Sequence, residues 1–279
     1  MQSAADPRAA AQSRLRWELL TNLVRKDLKV KYKNSALGFA WSMANPLLYL
    51  AVFSIVFTTF LHSHVKNFAV LLMSGLLVWN FFSTSAMGAT GAVVGSANLV
   101  KKVRFPRIVL PLASVGFAGV HFLLQMVVFT AFLLIFYRDF LGPQLVLVLP
   151  AVAVVLVFTV AVALLVSSLN VFFRDIEHFL EIALLAWFWL TPIVYPVALV
   201  GEHRRVFSLY MLDPMAPVVV AMQRALYVHA VVRGTRILTD PGYAFYLRWL
   251  GVAGGISLAL LALGLVVFRR LEANFAEEL

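Results

Sequence analysis

Six long windows of this sequence contain no charged side chain, although the chain carries 36 of them. The windows are residues 34–65, 67–100, 108–137, 140–173, 182–201 and 249–268, with lengths of 32, 34, 30, 34, 20 and 20 residues. A helix rises about 1.5 Å per residue, so about 20 apolar residues cross a hydrocarbon layer about 30 Å thick. Because every window reaches that length, the sequence predicts an all-α integral membrane protein with six transmembrane helices.

The overall composition excludes several classes of protein. Hydrophobic residues make up 62% of the chain and charged residues 13%, against about 45–50% and about 25% in soluble domains. Six spans use most of the 279 residues, so we expect no separate soluble catalytic domain. The net charge of +10 fits basic residues facing anionic headgroups, which predicts membrane lipids and no nucleic acid as partners. The absence of cysteine excludes disulfides and thiolate catalysis.

The positions of Lys and Arg predict the orientation of the chain. With the N-terminus inside, the inner segments are residues 1–36, 95–107, 169–178 and 269–279. They carry 15 of the 23 basic residues, whereas the two short outer loops carry only Lys66 and Arg138. Cytoplasmic connections of membrane proteins are enriched in Lys and Arg. Both termini are therefore expected on the cytoplasmic side of the membrane.

The segment from residue 14 to residue 33 is apolar on one side only. The apolar positions are Leu15, Leu19, Leu23, Val24, Leu28 and Tyr32, and the basic positions opposite them are Arg25, Lys26, Lys29 and Lys33. This pattern predicts an amphipathic helix in the membrane surface, with Trp17 as its interfacial anchor. A plain basic helix beside the membrane and a substrate-handling helix both fit the pattern.

The connection at residues 96–107 is short and strongly basic. Lys101, Lys102, Arg104 and Arg107 are four cations within seven residues, and Pro106 interrupts the local helix. A positive anchor on the cytoplasmic side explains these charges, and a docking element for a partner fits them as well.

The fifth window and its sequel are interrupted by proline. Pro192 and Pro196 lie near the outer end of the window, and the apolar runs between residues 202 and 248 are too short to cross a membrane. We expect re-entrant or interfacial half-helices there, because non-helical backbone at membrane depth must face protein or a water-filled cavity. The pairs Gly91–Gly95 and Gly251–Gly255 predict two places of close helix contact.

Motifs for catalysis are missing from the sequence. There is no phosphate-binding G-x-x-x-x-G-K-[ST] loop, and neither a G-x-S-x-G nor an H-E-x-x-H motif is present. The six His residues are scattered, so we expect no metal or cofactor on this chain, and His121 is expected to be a hydrogen-bonded core or cavity residue.

The centres of the windows carry no charge, unlike the spans of ion-coupled transporters. Any transport would therefore take its energy from another subunit.

Aromatic residues are abundant in the first, second and fifth windows. Interfacial belts and core packing explain many such residues. A channel lined by ring faces is the functional alternative, since sugars present apolar C–H faces that stack on aromatic rings.

Three segments together resemble a known family. They are KYKNSALGFAWSMANPLLYLAVFSIVF (31–57), LVKKVRFPRIVLPLASV (99–115) and LNVFFRDIEHFLEIALLAWFWLTPIVYP (169–196). Their Gly-x-x-Trp-x-x-x-x-Pro, Lys-x-x-x-Pro-Arg and Phe-Arg-Asp-Ile patterns resemble the permease subunits of type-2 ABC exporters, in particular the Wzm-like branch for O-antigen, teichoic acid, galactan and other cell-envelope polysaccharides. The similarity runs from about residue 15 to residue 270.

The resemblance implies an assembly and a division of the chain. It implies a homodimer, two copies of a cytoplasmic ATPase that binds ATP and Mg²⁺, and a lipid-linked polysaccharide as substrate, with no catalysis on this chain. The expected parts are the cytoplasmic N-terminus (1–36), the transmembrane domain (37–268) with its coupling loop (96–107) and outer gate region (200–244), and the cytoplasmic tail (269–279).

The resemblance also assigns roles to residues. The residues that it implies in ATPase coupling are Lys101, Lys102, Arg104, Arg107, Arg174 and Asp175, and the last two are expected to form an ion pair. The channel candidates are Trp41, Tyr49, Trp187, Trp189 and Tyr195. The candidates for binding a lipid pyrophosphate are Arg14, Arg16, Arg25 and Lys26. A drug or lipid exporter of the same class, a membrane-embedded enzyme of lipid-linked glycan metabolism and a structural scaffold are the alternatives.

Overall fold

The computed structural model describes residues 7–33, 40–56, 59, 67–103, 105–137, 142–201, 204–227, 231–232, 235–236, 238 and 242–279. The helices are α1 (Pro7–Tyr32), α2 (Ala40–Ile55), α3 (Phe68–Thr90), α4 (Ala97–Lys102), α5 (Val109–Phe136), α6 (Val148–Phe172), α7 (Ile176–Leu190), α8 (Ala198–Gly201), α9 (Arg204–Tyr210), α10 (Met215–Leu226), α11 (Tyr243–Glu272) and α12 (Phe275–Glu278). Short 3₁₀ helices, Val94–Ser96 and Pro143–Leu147, precede α4 and α6. A hairpin pairs β1 (Val231–Val232) with β2 (Thr235–Arg236), antiparallel, with Val231 opposite Arg236.

Four helical segments of the described chain are long and apolar enough to cross a membrane. They are Phe68–Thr90, Val109–Phe136, Pro143–Phe172 and Tyr243–Glu272, with 23 to 30 residues each. The prediction of an all-α integral membrane protein is therefore confirmed, and the protein is multi-pass. The helices α2 and α7 have 16 and 15 residues, so the count of six spans stays a prediction.

The fifth charge-free window does not coincide with a helix. α7 begins at Ile176, so that Glu177 and Glu181 lie inside it, and it ends at Leu190. Thr191 is extended (φ −85°, ψ 141°) because the ring of the following proline excludes helical geometry at that residue. A charge-free window marks apolar surroundings, whereas the proline decides where the helix ends.

Three other prolines are placed where a helix tolerates them. Pro111, Pro150 and Pro217 each occupy the third position of their helix, in α5, α6 and α10. The first backbone N–H groups of a helix have no partner within it, so proline costs no hydrogen bond there. These three prolines lie in the first turn of their helices and do not interrupt them.

α3 forms the centre of the structure. In its most apolar stretch 83% of the residues are buried, and it packs against α2, α5, α6, α7 and α10. α10 is almost entirely buried as well, although its 12 residues are too short to cross a membrane. A short apolar helix was expected in this region, and the structure places it against α3 and α6.

The two glycine pairs make no close helix contact within the described part of this chain. A Cβ added at Gly91, Gly95, Gly251 or Gly255 would meet no described atom within 4 Å. A close approach to a neighbouring helix backbone occurs at Gly264 of α11, where a Cβ would lie 3.0 Å from the carbonyl oxygen of Ala161 in α6. Four-residue spacing does not show which face of a helix meets its neighbour.

Candidate functional site

We call the part of the molecule formed by residues 97–107 and 269–279 the basic end, and the part formed by residues 191–217 the proline end. α7 connects the two, because it begins beside the end of α6 and ends at Leu190. Each sequence-predicted site residue in the described chain is located below relative to these two ends and to α1.

The basic end presents lysines on a fixed helix. Lys101 and Lys102 are exposed in the last turn of α4, while Val100 of the same helix is only 3% exposed and belongs to an apolar cluster. The buried valine fixes the helix, and both lysine side chains remain exposed. Arg104 lies outside the described residues.

Arg107 is tied to the C-terminal tail. Its backbone N–H donates to Oε1 of Glu272 at 3.1 Å, and its guanidinium Nη1 donates to the backbone carbonyl of Glu272. One residue thus joins the start of α5 to the end of α11. Arg107, predicted as a coupling residue, has a structural role in this arrangement.

Arg174 and Asp175 lie at the same end of the bundle, just before α7. Both side chains are exposed, and no ion pair joins them in the described part of the chain. Asp175 occupies the N-cap position of α7 without a side-chain capping bond. The two residues therefore leave their charges at the surface.

α1 is an amphipathic helix whose apolar side packs on α5. Val24 approaches Gly116 so closely that a Cβ there would lie 2.9 Å from Val24 Cγ2. Arg25 and Lys26 are exposed on the opposite side, and Lys26 Nζ lies 3.4 Å from Asp27 Oδ1. The predicted helix and its two faces are confirmed, while the side chains of Arg14 and Arg16 lie outside the described residues.

A histidine of α5 anchors the C-terminal end of α1. His121 Nδ1 donates to the Phe117 carbonyl at 2.9 Å, and its Nε2 lies 2.6 Å from Tyr32 Oη. Lys31 Nζ is 3.5 Å from the same Nε2, and burial lowers the pKa of Lys31. The prediction that His121 is a hydrogen-bonded buried residue is confirmed.

The aromatic channel candidates occupy different environments. Tyr49 and Trp189 are 46% and 60% exposed, on α2 and α7. Trp187 instead packs among Trp79, Phe82 and Phe158 in the core, with ring centroids 5.3 to 6.4 Å away. The side chain of Trp41 lies outside the described residues.

At the proline end, a buried carboxylate that sequence reasoning missed links α7 to the start of α10. Asp213 accepts hydrogen bonds from Trp187 Nε1 at 2.9 Å and from the Met215 backbone N–H at 3.1 Å, and burial raises its pKa. Beside it, the hydroxyl of Tyr195 donates to the Leu190 carbonyl at 2.9 Å and lies 3.1 Å from the Tyr210 hydroxyl. An Asp directly before the Pro214–Met215 helix start was the available signal, because Asp often accepts from the N–H two residues on.

Taken together, the fold defines a multi-pass helical membrane protein with a rigid basic connection at one end and a proline-broken helix at the other. The chain belongs to the ABC-2 type transporter family, whose model matches residues 18–227. It is 32% identical over 264 residues to the O-antigen export system permease protein RfbA of Klebsiella pneumoniae, which covers 94% of this chain and 95% of that protein. A protein of the same name from Myxococcus xanthus is 31% identical over 231 residues, covering 83% of this chain and 88% of the relative.

Proposed function

We propose that this chain is the membrane subunit of an ATP-driven exporter that moves a polyprenyl-pyrophosphate-linked polysaccharide across the bacterial inner membrane. The observation that supports this most strongly is the similarity to O-antigen export permeases over almost the whole of both chains. The sequence carries no phosphate-binding loop, so the energy would come from a separate ATPase that binds ATP and Mg²⁺.

In this proposal the basic end faces the cytoplasm and contacts two copies of the ATPase, one for each permease. The arrangement of α4 supports this contact, because Lys101 and Lys102 are exposed to a partner while Val100 packs the helix onto the permease. A helix that is fixed in this way can transmit a movement of the ATPase to the permease. Both termini then lie in the cytoplasm, as the distribution of Lys and Arg predicts.

The proposal includes six spans and a homodimer, with α2 and α7 as the first and fifth spans. One face of α7 supports the dimer: Phe179, Ile182 and Leu185 are 69%, 71% and 65% exposed. Glu181 is exposed between them, and a carboxylate within a span is expected to face protein or water rather than lipid. A second copy of the chain would cover this face and enclose a channel.

The channel would be lined by aromatic rings, with the exposed Tyr49 and Trp189 and the half-buried Tyr195 as the described candidates. Trp187 would support the wall from behind, through its contacts in the core. The short helices between residues 200 and 244 would form the outer gate. Arg25 and Lys26 on α1, with Arg14 and Arg16, would receive the pyrophosphate of the substrate, since exposed cations at a membrane surface attract anionic headgroups.

Reconstitution tests the proposal. Vesicles containing this chain and a cognate phosphate-loop ATPase are expected to hydrolyse ATP faster when lipid-linked polysaccharide is added, and to move that polysaccharide across the bilayer. Hydrolysis that ignores the substrate, with no movement, would argue against the proposal.

Charge reversal tests the coupling surface. Lys101→Glu with Lys102→Glu is expected to lower copurification of the ATPase by about tenfold or more, which corresponds to a loss of about 1.4 kcal/mol or more. Arg248→Glu is the matched control, because Arg248 is exposed at the start of α11, far from the basic end. Equal copurification of the double variant and the wild type would remove this role.

A further inference from the structure

The C-terminal tail (residues 269–279) packs into the apolar cluster of the basic end. The Phe275 side chain is completely buried, and its ring centroid lies 5.4 Å from that of Phe268 and 6.2 Å from that of Phe172. Val100 of α4 belongs to the same apolar cluster. Burying an aromatic ring contributes about 1.5–3 kcal/mol, so the tail is fixed in place although α12 is short.

A cavity of about 500 Å³ lies between the tail and the loop. Its lining is formed by Val100, Lys101, Lys102, Val103, Phe105, Arg107, Glu272 and Ala276. The lining therefore contains three cationic side chains and one carboxylate, that of Glu272, which accepts a hydrogen bond from the backbone N–H of Arg107. Within the described part of the chain, no ion pair joins Lys101 or Lys102 to an acidic side chain. The cavity keeps an excess of positive charge.

The position of the cavity favours a protein ligand over a lipid headgroup. Glu272 and Ala276 follow Arg269 and Arg270, the exposed cations of the last turn of α11. Such cations mark the headgroup level at the end of a span. The tail side of the cavity therefore lies beyond that level, towards the cytosol. Apolar walls from Val100 and Phe105 also suit a protein side chain better than a solvated phosphate.

We propose that this cavity accepts an acidic segment of the ATPase, so that the tail and the coupling loop form one composite docking surface. The inference rests on the proposed function and deepens it. It adds residues 272–276 to the expected docking residues, which lie within residues 96–107 and at Arg174 and Asp175. Complementary charge around a rigid apolar pocket gives both fast association and a fixed register.

Filling the cavity is the direct test. Ala276 is exposed and lines the cavity, whereas Ala273 is exposed on the same tail and does not line it. Ala276→Trp is expected to weaken binding of the purified ATPase by about tenfold or more, as at a central interface position. Ala273→Trp, the matched control, is expected to bind like the wild type.

The outcomes separate this inference from the proposed function. If the wild-type chain does not bind the ATPase, the proposed function fails. If the wild type binds and Ala276→Trp binds equally well, only the composite surface is refuted. If Ala276→Trp in detergent instead binds less phosphatidylglycerol than the wild type and keeps its ATPase affinity, the cavity is a headgroup site and this inference is overturned.

Cross-linking provides a second readout that needs no loss of binding. The chain contains no cysteine, so Ala276→Cys introduces a single thiol. A short thiol-to-carboxyl cross-linker is expected to join it to an Asp- or Glu-containing segment of the bound ATPase, and Ala273→Cys is expected to react much less. Equal cross-linking from both positions, or none from position 276 in an intact complex, would contradict the proposal.

Discussion

The two ends of the helix bundle differ in the polar groups that accompany their buried apolar side chains. At the basic end, buried apolar side chains such as Phe275 fix the loop and the tail, and the two lysines of α4 remain exposed. The proline end also buries apolar side chains, such as Ile193, but α7 ends there and a buried carboxylate adds polar contacts, with Asp213 accepting from Trp187 and Met215.

This difference indicates how each end responds to force. An apolar cluster resists separation at every point, because each displacement exposes area to water. A few hydrogen bonds around a broken helix can instead exchange partners at a small net cost of about 0.5–1.5 kcal/mol each. In the proposed exporter, the basic end would receive the push as a rigid body, and the proline end would open.

The largest expected effect comes from removing the ring that fixes the tail. Phe275→Ala is expected to cost about 3–5 kcal/mol, as other buried Phe-to-Ala changes do. Thermal unfolding in detergent and protease cleavage of the tail measure it. Phe136→Ala is the control, because Phe136 is 66% exposed and should change little. Equal melting temperatures for the two variants would contradict the apolar account of the basic end.

A smaller loss is expected at the proline end. Asp213→Ala leaves the Trp187 indole N–H and the Met215 backbone N–H without their acceptor, which costs about 1–3 kcal/mol. Asp213→Asn keeps one acceptor oxygen and should lose less, by the same unfolding measurement. Wild-type stability of Asp213→Ala would show that polar contacts do not hold this end together.

A change of similar size is expected where α1 meets α5. In Gly116→Ala the new Cβ would lie 2.9 Å from Val24 Cγ2, and valine is rigid at χ1. Gly119→Ala meets its nearest atom, Phe81 Cε2, at 3.8 Å and keeps the gain of about 1 kcal/mol for alanine in a helix. Gly116→Ala should therefore be less stable than Gly119→Ala by about 1–3 kcal/mol. The reverse order would mean that α1 does not pack here.

The smallest effect is a dependence of stability on pH at the proline end. Burial raises the pKa of Asp213, so the folded protein binds this proton more tightly than the unfolded chain. Stability should therefore fall as pH rises from the ordinary Asp value, about 3.9, through the raised value of the folded state. Unfolding midpoints of the wild type and Asp213→Asn measured across this range should diverge. A stability that rises with pH in this comparison would contradict the account.

The sequence predicted the long helices and the faces of α1 because both depend on local patterns. The third charge-free window, residues 108–137, contains the whole of α5 (Val109–Phe136). The length of an apolar run and a four-residue periodicity can be read without knowing any tertiary contact. The same holds for the exposed lysines of α4, since a cluster of cations is expected at a surface.

What sequence reasoning missed depends on contacts between distant segments. Asp213 meets Trp187 across 26 positions, and Arg107 meets Glu272 across 165. Nothing in either local pattern shows the partner. The same reason explains why Gly264 closely approaches the backbone of α6, whereas the four-residue glycine pairs meet no described neighbour. The tail was expected only as a cytoplasmic end, although Phe275 lies in the core of the basic end.

Transport by the purified chain with and without its ATPase tests the central claim most directly. Vesicles loaded with fluorescent lipid-linked polysaccharide are expected to move it only when this chain, the ATPase and ATP with Mg²⁺ are all present. Movement by this chain alone, without the ATPase, would contradict the account.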